Sequence, residues 1–397
     1  MTGVSGERLR HSRRERLGPV ALVMAHGKMA GAERVLLELL AETPRGTVLV
    51  CVPEDSPLGA RVVALGHSVQ DFSLPKLREE RSVFHFAGSY LAALRTLRRT
   101  LVAEDVSVVH AFVAVTSKVV APAAWLTRTP AILSVHEITT PDSIGFLRSR
   151  LQRIFAISSF RRITAVSQFV ADSLVSDGYP SNRIAVLHNG IARRAPRVNT
   201  SEQRAMLGLP ADALIFVVAG RLTRWKGQQI ALDAFIRFRK SHPNVDAHLL
   251  IVGGPFEEVD RVFERELTAK VGSEHLHDSV HLYGHQDEVE PFYDAADVVL
   301  VPSLEPDPFP TVVLEAGLAG RPVIATDQGG AREAVVHGQT GLVVSPTIEA
   351  FSKAMDTAMD PVWRLTVGEA ALLHVEREFS RTQFAGRVFA EWEAAKQ

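Results

Sequence analysis

The stretch Ser303–Arg321, SLEPDPFPTVVLEAGLAGR, decides the fold class. The apolar run before it, Val298 to Val301, is short and β-branched and reads as a buried strand; its prolines and acids break into a helix that begins near Thr311. A strand that empties through a polar loop into a helix is the repeating unit of a doubly wound α/β sheet, which binds ligands at the carboxyl ends of its strands. Asp307 on the loop and Glu315 in the early helix stand at that end. Two carboxylates so placed accept hydrogen bonds from sugar or ribose hydroxyls, while the unbonded N–H groups of a helix start face phosphate oxygens. Taken alone, the pair fits equally well a turn acid and a glutamate suited to a helix N-terminus.

A second stretch changes that balance. Gly220–Gly227, GRLTRWKG, follows the apolar run Leu214 to Ala219, and a helix is predicted from about Gln228. Arg221 and Lys226 at this strand end, beside a helix N-terminus, make a diphosphate site. Polyol and diphosphate together describe a nucleotide sugar. The chain lacks the G-x-x-x-x-G-K-[ST] of a phosphate-binding loop and any convincing G-x-G-x-x-G dinucleotide fingerprint.

Read together, these stretches resemble the retaining glycosyltransferases of family 4. GRLTRWKG is similar to that family's G-R-L-x-x-x-K-G motif, DPFPTVVLEAGLAGRPVIA to its E-P-F-G-x-x-x-x-E-A-x-A-x-G-x-P-V segment, and the likeness continues through Thr326 to Val344. The resemblance implies a GT-B architecture, two Rossmann-like domains facing a central cleft, with a last helix that crosses back to the N-terminal domain. It implies a donor site of Gly220, Arg221, Lys226, His285, Asp307, Phe309, Thr311, Val312 and Glu315, with Glu315 on the ribose and Asp307 on the donor sugar. Asp307 stands where glutamate is usual, and Glu305 is a second acid within reach. Pro310 stands where glycine is usual and removes a backbone N–H, which moves the phosphate contact to Thr311 and Val312.

The chain has 397 residues, 46% of them hydrophobic, enough for two cores. Its net charge of −1 hides a division: residues 1 to 198 carry 26 Lys and Arg against 16 Asp and Glu, and the remainder 18 against 29. A basic first half suits an anionic partner, either a membrane surface or a lipid-linked acceptor. No apolar run approaches membrane-spanning length, and the single cysteine, Cys51, in a predicted core strand, fits a reducing cytoplasm. The domains expected are a basic, disordered tail 1–17, an acceptor domain 18–193 joined by a helix 376–397, a linker 194–210 and a donor domain 211–375.

In the first domain, strand Pro19 to Ala25 leads into HGKMAGAERVLLELL. The small residues Ala30 and Gly31 permit close backbone approach there, with Ala30 where the related enzymes have glycine, and Glu33 reads as a helix-start acid. Strands Val106 to Val109 and Ala131 to Val135 each end in a histidine, His110 and His136. His110 is evenly balanced between acceptor site and core. His136 matches the family's histidine that faces the reacting end of the donor sugar. Basic amphipathic stretches at Lys76 to Arg99 and Ile144 to Phe160 are further candidates for a membrane surface, though a helix packed on the sheet is the commoner case. The acid usual after Asn189-Gly190-Ile191 is replaced by Ala192.

The function expected is transfer of a sugar, with retention of configuration, from a UDP- or GDP-sugar to a glycan, lipid-linked or small-molecule acceptor, in cell-surface polysaccharide synthesis. His136, Arg221, Lys226 and Asp307 are the expected catalytic groups. No cofactor, metal or nucleic acid is called for, and D-x-D is absent. The expected location is cytoplasmic, on or near the inner membrane face. Two other classes compete: an epimerase-like nucleotide-sugar enzyme of the same fold, and a non-catalytic two-domain binding protein.

Overall fold

The computed structural model describes residues 18–75, 82–138, 146–193, 199–255 and 257–397. The basic tail 1–17, Lys76, Arg78, Arg81, Ile144 and residues 194–198 lie outside them, as does the side chain of Arg148.

Thirteen short segments among the described residues, most of them aliphatic, form strands. They are β1 (Val20–Val23), β2 (Val48–Val52), β3 (Ser68–Asp71), β4 (Val108–Ala111), β5 (Ala131–Val135), β6 (Arg162–Ala165), β7 (Ile184–Val186), β8 (Leu214–Ala219), β9 (Ala247–Val252), β10 (Val280–Gly284), β11 (Val298–Val301), β12 (Val323–Thr326) and β13 (Gly341–Val344). Nearly all of the central strands' residues are buried, the pattern of a sheet covered by helices on both faces. Two parallel sheets result, in the orders β3-β2-β1-β4-β5-β6-β7 and β10-β9-β8-β11-β12-β13. Both reverse direction beside their first strand, at β1/β4 and at β8/β11, and those reversals are where such sheets open a crevice at their carboxyl edge.

The connecting helices are α1 (Gly31–Glu42), α2 (Pro57–Ala64), α3 (Val83–Ala103), α4 (Ser117–Thr127), α5 (Phe146–Ser159) and α6 (Gln168–Ser176) in the first half. In the second they are α7 (Thr200–Met206), α8 (Gln228–Ser241), α9 (Glu258–Ser273), α10 (Glu290–Ala295), α11 (Thr311–Leu318), α12 (Ala331–Ala334), α13 (Ile348–Thr357), α14 (Pro361–Glu378) and α15 (Arg381–Lys396). Each sheet belongs to its own compact unit, one running to Ile191 and completed by Arg381–Gln397, the other Ala192–Ser380. The last helix joins the first unit for a packing reason. Phe384, Val388, Phe389 and Trp392 of α15 enter the core formed by Val20, Leu22, Leu36 and Val108, and Arg162 holds Glu391 in a two-pronged ion pair. Full burial of each such aromatic contributes about 1.5–3 kcal/mol. Cys51 lies in β2, fully buried, with its thiol pushed up to about 12 by burial.

Three boundaries differ from expectation. Pairing of Val20 with Val108 and of Val109 with Ala131 carries β4 two residues further, so His110 is inside the strand. The segment read as linker contains α7, anchored by Arg204, which is 5% exposed. Its guanidinium donates to the carbonyls of Ala295, Ala211 and Ala213 and to Asp297 at 2.6–3.1 Å. The final helix begins at Arg381, because α14 continues to Glu378 and is closed by Phe379 packing against Phe309.

Candidate active site

The switch point of the second sheet gathers most of the expected donor residues. Its rim is built by backbone. Gly220 donates to the carbonyl of Val252, Leu222 to that of Gly254, and Gly253 to that of Gly284, so the ends of β8, β9 and β10 are laced side by side. GRLTRWKG is bound to the end of β11 just as directly: Leu304 N–H donates to the Trp225 carbonyl at 2.7 Å. Gly227, at φ +74°, is in the left-handed region, and a Cβ there would lie 1.8 Å from the Pro302 carbonyl oxygen. Only glycine allows that approach at that φ.

This closeness brings the two sequence motifs into one side-chain contact. Lys226 Nζ lies 2.6 Å from Asp307 Oδ2, with side-chain exposures of 20% and 8%, and 4.4 Å above the ring of Trp225. Asp307 is itself held in place: its carbonyl accepts from Gly330 N–H at 2.8 Å, and any Cβ on Gly329 would strike it. Of the two acids in EPDP, Asp307 is therefore the buried and paired one, and Glu305 is exposed. Arg221, at the mouth of the same loop, is exposed, and its carbonyl accepts from Gln228.

Beyond the loop, α11 begins with Pro310 in extended conformation as its cap and no side-chain cap. The N–H groups of Thr311 and Val312 in its first turn have no intrahelical acceptor and carry the helix's partial positive charge. Glu315, one turn on and half-buried, accepts a 2.8 Å hydrogen bond on Oε2 from the Tyr293 hydroxyl. Tyr293 is 1% exposed and fixes the carboxylate's orientation. It lies in α10, five residues before β11, where the sequence offered no periodic or motif signal for it. The Phe309 side chain is buried and tilted against Phe379 at 5.7 Å, so it supports the loop from beneath. His285 follows β10, its side chain 74% exposed, 3.5 Å from Asp287.

The first unit carries the remaining candidates. Ala30 is the extended cap residue of α1 and has no side-chain cap bond; Gly31 follows it with open space around its Cα. Glu33, 2% exposed, lies 3.4 Å from His26 Nδ1. His136 follows β5, its ring 5.0 Å from that of Phe112, and its Nε2 is buried with no hydrogen-bond partner among the described residues. Burial pushes this imidazole down to about 4, so it is neutral near pH 7. His110 belongs to the core instead. It is 1% exposed, Trp392 Nε1–H donates to its Nδ1 at 3.1 Å, and its Nε2 lies 2.7 Å from the Ser134 hydroxyl. With both nitrogens engaged and its pKa pushed down to about 3 by burial, it has nothing left to offer an acceptor.

Two Rossmann-like units, the second with a polyol- and diphosphate-complementary rim at its switch point, define a protein of the GT-B class. Residues 29–194 match the model of "Glycosyltransferase Family 4" and residues 213–360 that of "Glycosyl transferases group 1". The chain belongs to the family 4 glycosyltransferases. It is 32% identical over 255 residues to a D-inositol 3-phosphate glycosyltransferase of Streptomyces avermitilis, a match covering 61% of this chain and 53% of that protein. Over 210 residues it is 34% identical to the enzyme of the same name from Acidothermus cellulolyticus, covering 50% and 46%. The chain thus spans about half the length of the curated relatives it matches. In fold it is similar to Anabaena Alr3699/HepE, solved in complex with UDP and glucose, at a TM-score of 0.82 and 23% identity over 94% of this chain and 98% of that one. Among the described residues, no helix is long and apolar enough to cross a membrane.

Proposed function

We propose that this chain transfers a sugar, with retention of configuration, from a nucleoside diphosphate donor to a hydroxyl of a glycan, lipid-linked or small-molecule acceptor, with a role in cell-surface polysaccharide synthesis. The observation that carries the reading is the Lys226–Asp307 contact at the switch point, beside the open first turn of α11 and the oriented Glu315. Loss of a nucleoside diphosphate from an anomeric carbon builds negative charge on the diphosphate, and stabilising that charge is the largest electrostatic task of the reaction. Arg221, Lys226 and the N–H groups of Thr311 and Val312 supply it, in place of a divalent cation. Glu315 takes the ribose hydroxyls and Asp307 the hydroxyls of the donor sugar. UDP is the first donor nucleotide to try, since HepE is solved with UDP and with UDP-glucose.

The test is a product analysis by proton NMR. The chain is incubated with UDP-glucose or GDP-mannose and an extract of glycans and lipids, with EDTA present. Release of the nucleoside diphosphate that depends on the extract, with a new anomeric signal of the donor's configuration, is expected. Interconversion of the donor sugar without acceptor would replace transferase with an epimerase-like activity, and no change in any donor would leave only a binding protein.

A further inference from the structure

At the amino edge of the first sheet, away from the strand ends that carry His136, a pocket of about 550 Å³ opens between the C-terminal ends of α4 and α5. That volume is within the range of small-ligand sites. Its lining includes Trp125, Arg128, Thr129, Ser158, Ser159 and Arg161, and no acidic residue. Trp125 is 72% exposed, an unusual state for an indole.

We propose that this pocket is a second saccharide site, for a sugar residue that carries a carboxylate or phosphate. The flat face of Trp125 is the surface on which the C–H face of a pyranose stacks. The hydroxyls of Thr129, Ser158 and Ser159 are hydrogen-bonded to Thr127, to the Phe155 carbonyl and to each other, and their remaining lone pairs accept from sugar hydroxyls, while two guanidinium groups receive the anion. Arg161 already spends one donor on the carbonyl of Ala395 at 2.9 Å, which fixes its position and leaves further N–H groups. Arg128 lines the same pocket. It closes α4 in the left-handed conformation, φ +59°, where glycine is the unstrained residue and arginine is not.

A membrane surface is the competing occupant, since exposed tryptophan and arginine also suit a headgroup layer. The row of hydroxyls favours a discrete sugar. Resting on the proposed transferase reading, the site would hold a distal residue of the acceptor chain. Ala131 to Val135 span about 13 Å at the usual strand rise, so a glycan of several residues is needed to join the two edges of the sheet.

The test is calorimetric titration of the full chain with a uronate-containing tetrasaccharide, a hexose 6-phosphate and neutral maltotetraose, alongside sedimentation with anionic vesicles. Binding of the acidic tetrasaccharide, at least tenfold weaker for maltotetraose, for Trp125→Ala and for Arg128→Asn, and unchanged in Lys226→Ala, is expected. Asparagine is used because it tolerates the left-handed conformation. Equal response to the hexose phosphate would mark the pocket as a site for a free sugar phosphate, unequal response as one for a chain. Saccharide binding unaffected by either pocket variant, no binding of either acidic sugar, or vesicle binding that alone depends on Trp125 would overturn the proposal. The nucleotide response of the Trp125→Ala variant keeps the donor site as a separate readout.

Discussion

Replacing Lys226 with methionine keeps an unbranched side chain of similar reach and removes the ammonium from Asp307 and from the face of Trp225. The pair is intermediate between exposed ion pairs, worth 0–1 kcal/mol, and fully buried ones, whose disruption costs 3–5 kcal/mol, so a loss of about 2 kcal/mol is expected. For a unit of this size that lowers Tm by about 4–8 °C. A second readout separates stability from function. Wild-type protein at 100 times the Kd for its nucleoside diphosphate gains about 2.7 kcal/mol, whereas loss of a charge-assisted hydrogen bond weakens binding about 10–100-fold. At the same ligand concentration the variant should then gain only about 0.4–1.4 kcal/mol. Asp307→Asn added to Lys226→Met removes the orphaned charge and should restore most of the ligand-free Tm without restoring the nucleotide response. Scanning calorimetry of wild type, both single variants and the double variant, with and without UDP, reads all of this. Additive losses in ligand-free stability would refute the pairing, and an undiminished UDP response in Lys226→Met would refute the diphosphate role.

Four further outcomes are expected. Gly227→Ala forces a Cβ into the Pro302 carbonyl at a left-handed φ, and should cost at least about 3 kcal/mol and separate the two loops, read as loss of soluble, cooperatively melting protein. Tyr293→Phe frees Glu315 from its 2.8 Å hydrogen bond and should cost about 1 kcal/mol of stability, while Glu315→Ala should abolish any preference for UDP over its 2′-deoxy analogue in titration calorimetry. His136 and His110 stay neutral in the fold down to about 4 and about 3, whereas the unfolded chain takes up their protons near 6.5; stability therefore falls as pH falls below about 6.5. Each contributes at most about 1.4 kcal/mol per pH unit, and His136→Gln should flatten the slope of denaturant-derived stability between pH 6.5 and 4.5.

The alternation of strands and helices was legible because buried parallel strands are continuous aliphatic runs, and the strand-end loops because prolines, glycines and charges interrupt those runs. Arg221, Lys226 and Asp307 could be placed on loops at strand ends, and Glu315 in the helix that follows one, from spacing. The contact of Lys226 with Asp307, 81 residues apart, could not, because it depends on β8 and β11 being neighbours in the sheet order. His110 was ambiguous for a related reason. A shift of two residues in the end of β4 moves it from rim to core, and its partner Trp392 lies 282 residues away. Arg204 made its segment look like a polar linker, since nothing local shows that three carbonyls and Asp297 enclose it. Tyr293 was missed because an aromatic pair, Phe292 and Tyr293, ahead of a strand looks like core.

The most direct single measurement is a metal-free calorimetric titration of wild-type and Lys226→Ala protein with UDP, GDP, ADP and dTDP. One nucleoside diphosphate should bind the wild type and bind Lys226→Ala at least tenfold more weakly, with the variant's melting still cooperative. Equal binding to both proteins, or binding of none of the four, would contradict the assignment of the second unit's switch point as the donor site.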